Sequence, residues 1–182
     1  MRKTVISALL ASAMMLAAGP ADAEKKVLLK VGSWFPSALP GLGTSLPWVV
    51  KQVNATGTNL KMKFYEPGKL IPPKEMLEAV SKGQIDGGHT TPGYNTGKVG
   101  EKGAIFSSVP FGPDASEYLA WIYYGGGREL AQKAYDDAGF NVENIPCGII
   151  APETSGWFTK EINTPADLKG LRMRFFGLGA RV

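Results

Sequence analysis

An arginine held at a strand end makes a good carboxylate receptor. Its planar guanidinium presents two parallel N–H donors to two oxygens, where a lysine offers only a point charge. Two arginines, Arg172 and Arg174, stand close to the end of this 182-residue chain. Leu171-Arg172-Met173-Arg174-Phe175-Phe176 reads as a strand. Its two-residue period puts Arg172, Arg174 and Phe176 on one face and Leu171, Met173 and Phe175 on the other. Solvated surface charge is the plain alternative for either arginine. Other reactive residue types are scarce. His89 is the single histidine and Cys147 the single cysteine. There is no zinc spacing and no Gly-x-Ser-x-Gly elbow, so an exported enzyme of small organic acids would lack its nucleophile, base and orienting group. Gly125-Gly126-Gly127 lacks the Lys-Ser/Thr pair of a phosphate-binding loop and reads as a helix break. Gly177-Leu178-Gly179-Ala180-Arg181-Val182 begins like a dinucleotide fingerprint but fails at Val182, where the third glycine belongs.

The elements that must position these residues alternate. Val27 to Trp34 reads as a strand and Gly41 to Ala55 as a helix with Leu46, Val49, Val50 and Val53 on its apolar side. Leu60, Met62 and Phe64 alternate with Lys61, Lys63 and Tyr65 in a half-buried strand that ends at the Pro67-Gly68 turn. Pro73 opens a helix through Met76, Leu77 and Val80, and Gly83 stops it before a short strand around Ile85. A helical region from Ser116 to Tyr124 resumes after the glycines from Arg128 to Ala138, and a further strand is expected from Asn141 to Ile149. Near the end, Thr164 as N-cap, Pro165 and Gly170 delimit a short helix. This order predicts an α/β layer with mostly parallel pairing, where ligands collect beyond the C-terminal strand ends. The loop Gly88-His89-Thr90-Thr91-Pro92-Gly93-Tyr94-Asn95 falls at such an end. Trp34, Phe35 and Phe176 are either the apolar lining of a pocket or ordinary core.

Four stretches carry a resemblance: Tyr65-Glu66-Pro67-Gly68, Pro72 to Val80, Val109-Pro110-Phe111-Gly112, and Gly156 to Phe176. From about Val27 onward the chain resembles the solute-binding proteins of tripartite ATP-independent periplasmic (TRAP) transporters, the DctP family, and in particular its 2-oxo and 2-hydroxy acid-binding branch. The resemblance implies an α/β, periplasmic-binding-protein-like fold of two lobes with a ligand cleft between them, incomplete here. Residues 24–148 would be most of the first lobe and 149–182 the start of a truncated second one. It implies that Arg174, not Arg172, forms a two-pronged salt bridge with an organic-acid carboxylate, with Tyr94 and Asn95 facing the cleft. Glu153 is implied as a contact to the ligand or to a sodium or calcium ion beside it, with a solvated Glu153 as the alternative. Trp34, Phe176 and Gly177 complete the expected site, Gly177 by letting a helix N-terminus approach an anion near Arg174. His89 reads as structural and Phe175 as core. Where the branch often carries three tyrosines this chain has Gly93, Tyr94 and Asn95, which leaves either more room or a different polarity. A 2-oxo or 2-hydroxy monocarboxylate is the first ligand expected, an aromatic carboxylate the second. The membrane partners implied are the small and large TRAP subunits. The substrate-binding protein of an ATP-driven importer shares the two-lobed plan and is the competing transport reading.

The N-terminus supports export. Arg2 and Lys3, the apolar run Val5 to Ala18 and Ala21-Asp22-Ala23 form the three parts of a cleavable signal peptide over residues 1–23. The run is shorter than the roughly 20 residues a membrane span needs. A periplasmic protein is expected, and with one cysteine its stability rests on packing rather than on an internal disulfide. The net charge of +4 comes from scattered residues. It suits mild steering of anions, and no basic run of the nucleic-acid-binding kind is present.

Overall fold

The computed structural model describes residues 25–180 apart from Ser108, Glu153 and Ser155. Three parallel strands form one sheet in the order β2-β1-β3, with β1 at Val27–Ser33, β2 at Leu60–Tyr65 and β3 at Gly87–His89. The register pairs Val27 with Leu60 and Val31 with Gly87. The first half of β1 is open to solvent while Val31, Gly32 and Ser33 are buried. The sheet therefore buries its C-terminal end, and the Trp34 amide donates to the His89 carbonyl at 2.9 Å just beyond the ladder.

Between the strands lie helix α1, Ser45–Ala55, and helix α2, Met76–Ser81, the latter entered through a 3-10 turn at Pro73–Glu75. Met76 and Ala79 on α2 pack with Ile85 against Trp34, Leu70 and Ile71. Gly88 makes this possible, because a Cβ there would lie 2.5 Å from Met76 Cγ. Ile85 is a buried plug and not a strand residue. The expected strand around it begins two positions later at Gly87, because Asp86 first turns back to β1, accepting from the Lys30 amide at 2.7 Å.

After β3 the chain runs through a 3-10 turn at Pro92–Asn95 into two single-turn helices, α3 at Thr96–Val99 and α4 at Glu101–Ala104. Helices α5, Ala115–Tyr124, and α6, Gly127–Asp137, follow. Asp114 caps α5: its Oδ1 accepts from the amides of Ser116 and Glu117, and Glu117 Oε2 accepts from the Asp114 amide. The triple glycine is the corner between α5 and α6. Gly126 takes φ +82 and Gly127 approaches the Trp121 ring closely, so the interruption has a steric purpose and α6 starts at Gly127 rather than Arg128. Phe106, Ile122 and Ala131 pack with Tyr118 and Trp121, and Val99, Ala134 and Tyr135 pack with Leu77, Phe140 and Val142.

Two expected strands are not strands. Residues 141–149 and 171–176 have no regular secondary structure and no ladder partners among the described residues. Period-two patterning marks a chain able to pair; pairing also needs a neighbour with free backbone groups. The short helix before the second segment is a 3-10 turn, Pro165–Leu168. Asp167 Oδ2 accepts there from the Thr164 amide and hydroxyl, and Gly170 leaves at φ +80.

Candidate functional site

Beyond the C-terminal ends of β1 and β3 lies a broad cavity of about 1860 Å³. One wall comes from Phe35, the N-terminus of α1 and the loop 89–94. A second comes from 106–107, 109–115 and one face of α5, and a third from residues within 144–152, Thr154, 156–158 and 171–179. This is where an α/β sheet with parallel strands collects ligands.

Tyr94 is the centre of its aromatic side. The ring stacks on Trp34 with centroids 4.6 Å apart and receives Phe176 edge-on at 5.0 Å, with Phe35 at 6.0 Å. Phe176 is thereby drawn from the far end of the chain onto the loop after β3. Tyr94, Phe176 and Arg174 line the same cavity. Arg174 is exposed and enters no ion pair among the described residues. The other arginine on the lining, Arg128, is held by Glu143 at 3.3 Å. Arg172 is exposed outside the lining, so the two arginines do not share the cavity.

The remaining expected residues fall elsewhere. Trp34 is not on the lining; it packs on Met76 and Ala79 and presents one face to Tyr94, while Phe35, buried at 5 % exposure, borders the cavity in its place. Asn95, expected to face the cleft, is 3 % exposed and lies beside buried Tyr135, its Nδ2 meeting no acceptor within standard hydrogen-bond geometry among the described residues. The 3-10 turn over Pro92–Asn95 sends successive side chains in different directions, which a linear motif does not reveal. Gly177 opens the 3-10 turn Gly177–Ala180 at φ +57 but is not itself on the lining, where Gly179 is. Phe175, read as core, is 43 % exposed and borders the cavity. Glu153 lies outside the described residues; its neighbours Pro152 and Thr154 line the cavity.

Several lining groups were not singled out from sequence. Thr91 Oγ1 and Ser107 Oγ are 3.1 Å apart, and Ser45 borders His89 and Cys147. His89 sits between two serines: Nδ1 is 3.3 Å from Ser33 Oγ and Nε2 is 3.3 Å from Ser45 Oγ. Ser33 Oγ donates to the Phe35 carbonyl at 2.9 Å, which leaves it an acceptor toward Nδ1–H and makes Nε2 an acceptor for the Ser45 hydroxyl. Burial lowers the His89 pKa below 6.5, in keeping with a neutral, structural ring. A Ser–His pair needs a carboxylate on Nδ1 to act as a nucleophile and base, and here Nδ1 meets a serine. Burial pushes the Cys147 thiol up, opposed by its hydrogen bond with Ser45, so it is a weak nucleophile.

A hard cation needs six or more oxygens, several of them carboxylate. Among the described residues no three His, Cys, Asp or Glu side chains cluster to hold a metal ion. The described carboxylate on the lining, Asp114, is committed to the α5 cap. The described residues therefore do not form a cation cage by themselves. No described helix is long and apolar enough to cross a membrane.

The model of a family described as DctP, bacterial extracellular solute-binding protein, family 7, matches residues 43–178. A monocarboxylate 2-oxoacid-binding periplasmic protein of Nostoc sp. is 43 % identical over 135 residues, 74 % of this chain and 36 % of the relative. A TRAP transporter solute-binding protein of Bordetella bronchiseptica, solved with copurified calcium and picolinate, superimposes with TM-score 0.76 at 29 % identity, covering 86 % of this chain and 46 % of that one. A TRAP periplasmic solute-binding protein of Pseudoalteromonas atlantica with bound sodium and pyruvate gives TM-score 0.75 at 33 % identity, covering 86 % and 48 %. The chain thus spans about a third of the curated relative's length and just under half of each solved structure.

Proposed function

Because this chain belongs to the DctP family of bacterial extracellular solute-binding proteins, we propose that it serves in the periplasm as the binding component of a TRAP transporter. Its cargo is a small organic acid that it passes to the membrane subunits. The observation that carries the reading is that Arg174, Tyr94 and Phe176 line one cavity, with Phe176 in contact with Tyr94 and the Arg174 guanidinium free of any ion pair among the described residues. A carboxylate entering there gains two parallel charge-assisted hydrogen bonds from a donor that sacrifices no existing partner. Tyr94 offers a hydroxyl and a ring face, and Thr91 and Ser107 offer hydroxyls for a second polar group on the ligand. This combination suits a 2-oxo or 2-hydroxy monocarboxylate. The aromatic wall of Phe35, Tyr94 and Phe176 supports an aromatic carboxylate as the second reading. Glu153 is retained as the residue proposed to face an accompanying sodium or calcium ion.

No chemical step is needed for this role. The protein captures its ligand, and closure of the lobes about it creates the surface that the membrane partner recognises. The test uses the protein expressed from its own gene. Calorimetric titration with pyruvate, lactate and picolinate should give saturable, stoichiometric heats and unchanged ligand on recovery. Absence of binding across this panel, or turnover of any member, overturns the reading. Coupling to a purified ATPase subunit in place of the two TRAP subunits would reassign it to an ATP-driven importer.

A further inference from the structure

We propose that Gly93 is a positioning residue for Arg174, acting through Phe176; this deepens the assignment of Arg174 as the carboxylate receptor and rests on it. A Cβ built on Gly93 would lie 2.4 Å from Phe176 Cζ and 2.8 Å from Phe176 Cε1. The Phe176 ring therefore occupies the space that a side chain at 93 would take. The missing side chain does not enlarge the cavity, as the sequence suggested it could: the vacated volume is filled from the other end of the chain. Gly93 does not have a positive φ, so alanine is conformationally allowed there and the restriction is steric.

A ring tip can often swing aside at little cost. Here it is held. Phe176 meets Tyr94 edge-on at 86°, and Tyr94 is itself stacked on Trp34, which packs into the α2 core. To reach ordinary van der Waals separation from a new methyl, the ring must retreat by roughly an ångström, and the held Tyr94 makes the backbone the part that yields. Arg174 is two residues upstream on the same segment, which is tied to this loop by the Tyr94–Phe176 contact and by the turn Gly177–Ala180 that follows it. Recognition of a carboxylate by a planar fork tolerates displacements of only about 0.5 Å. Gly93 thus sets where the guanidinium stands.

The experiment is a double-mutant cycle read by pyruvate titration. Gly93→Ala should weaken binding by roughly tenfold or more, the usual effect of one overpacked methyl. In a Phe176→Leu background, which removes Cζ, the same Gly93→Ala change should alter affinity by less than about twofold. Unchanged affinity in Gly93→Ala overturns the proposal. So does a loss that persists in the Phe176→Leu background, which would point to Ser107 Oγ, 2.8 Å from the same Cβ position. The 19F resonance of fluorophenylalanine at 176, assigned with Phe176→Leu, should shift in Gly93→Ala without ligand. If the unsubstituted protein binds no acid while the resonance shifts, the functional reading fails and the steric coupling stands. If it binds and the resonance does not move, the coupling fails.

Discussion

Replacing Arg174 by alanine tests the carboxylate receptor most directly. The side chain is exposed, lines the cavity and has no ion-pair partner among the described residues, so its removal strands no buried charge. Stability should therefore change by no more than about 0.5 kcal/mol, as for an ordinary surface substitution. Binding should respond quite differently. An ion pair that stays in water is worth at most about 1 kcal/mol, whereas a hydrogen-bonded charge pair desolvated on closure is worth about 2 to 5 kcal/mol. If Arg174 is the receptor, the cavity's apolar walls and the lack of a competing carboxylate on it among the described residues put it in the second class. At 1.4 kcal/mol per decade, Arg174→Ala should raise the Kd for pyruvate between about thirty-fold and several thousand-fold. Arg174→Lys keeps the charge but loses the fork and should fall between. Titration calorimetry measures the affinities and a melting curve the stability. A variant that binds pyruvate within about threefold of the unsubstituted protein would refute the reasoning; one that melts much earlier would give Arg174 a structural role that its exposure does not explain.

His89 has a pKa held below its ordinary 6.5 by burial. The unfolded chain therefore takes up its proton first as pH falls. The stability tied to the neutral ring is complete above about pH 6.5 and drains away below it, toward the lowered folded pKa. His89→Gln should flatten that part of the curve in denaturant titrations between about pH 5 and 7, and an unchanged slope would show that other groups set it. Asp114→Ala removes the Oδ1 that accepts from two amides at the start of α5; it should cost about 1 kcal/mol in chemical unfolding, while Asp114→Asn should cost much less. If Glu153 supplies an oxygen to a cation, chelation should weaken pyruvate binding in the unsubstituted protein and leave Glu153→Gln unaffected. Identical responses of the two proteins to chelator would remove Glu153 from that role.

The parts of the fold legible in the sequence are those fixed by local rules. The Lys61/Lys63 alternation located β2, Pro73 located the entry to α2, and Thr164 with Pro165 located the turn Pro165–Leu168, because each depends on neighbours within a few residues. The Asp114-Ala115-Ser116-Glu117 capping box was equally local and would have moved the start of α5 one residue earlier. Residues 141–149 and 171–176 failed as strands for the opposite reason. Their hydrogen-bond partners would have to come from elsewhere in the chain, and no local pattern shows whether such a partner is present.

Residue types alone determined the inventory: arginines able to take a carboxylate, one histidine and one cysteine, on an alternating α/β scaffold. Only the tertiary structure decided which of those residues meet. It put Trp34 behind Tyr94 rather than on the cavity, buried Asn95 beside Tyr135, and filled the space left at Gly93 with Phe176. Side-chain direction in a 3-10 turn and contact across more than eighty positions depend on how the layers pack, and packing is a property of volumes meeting in space rather than of order along the chain.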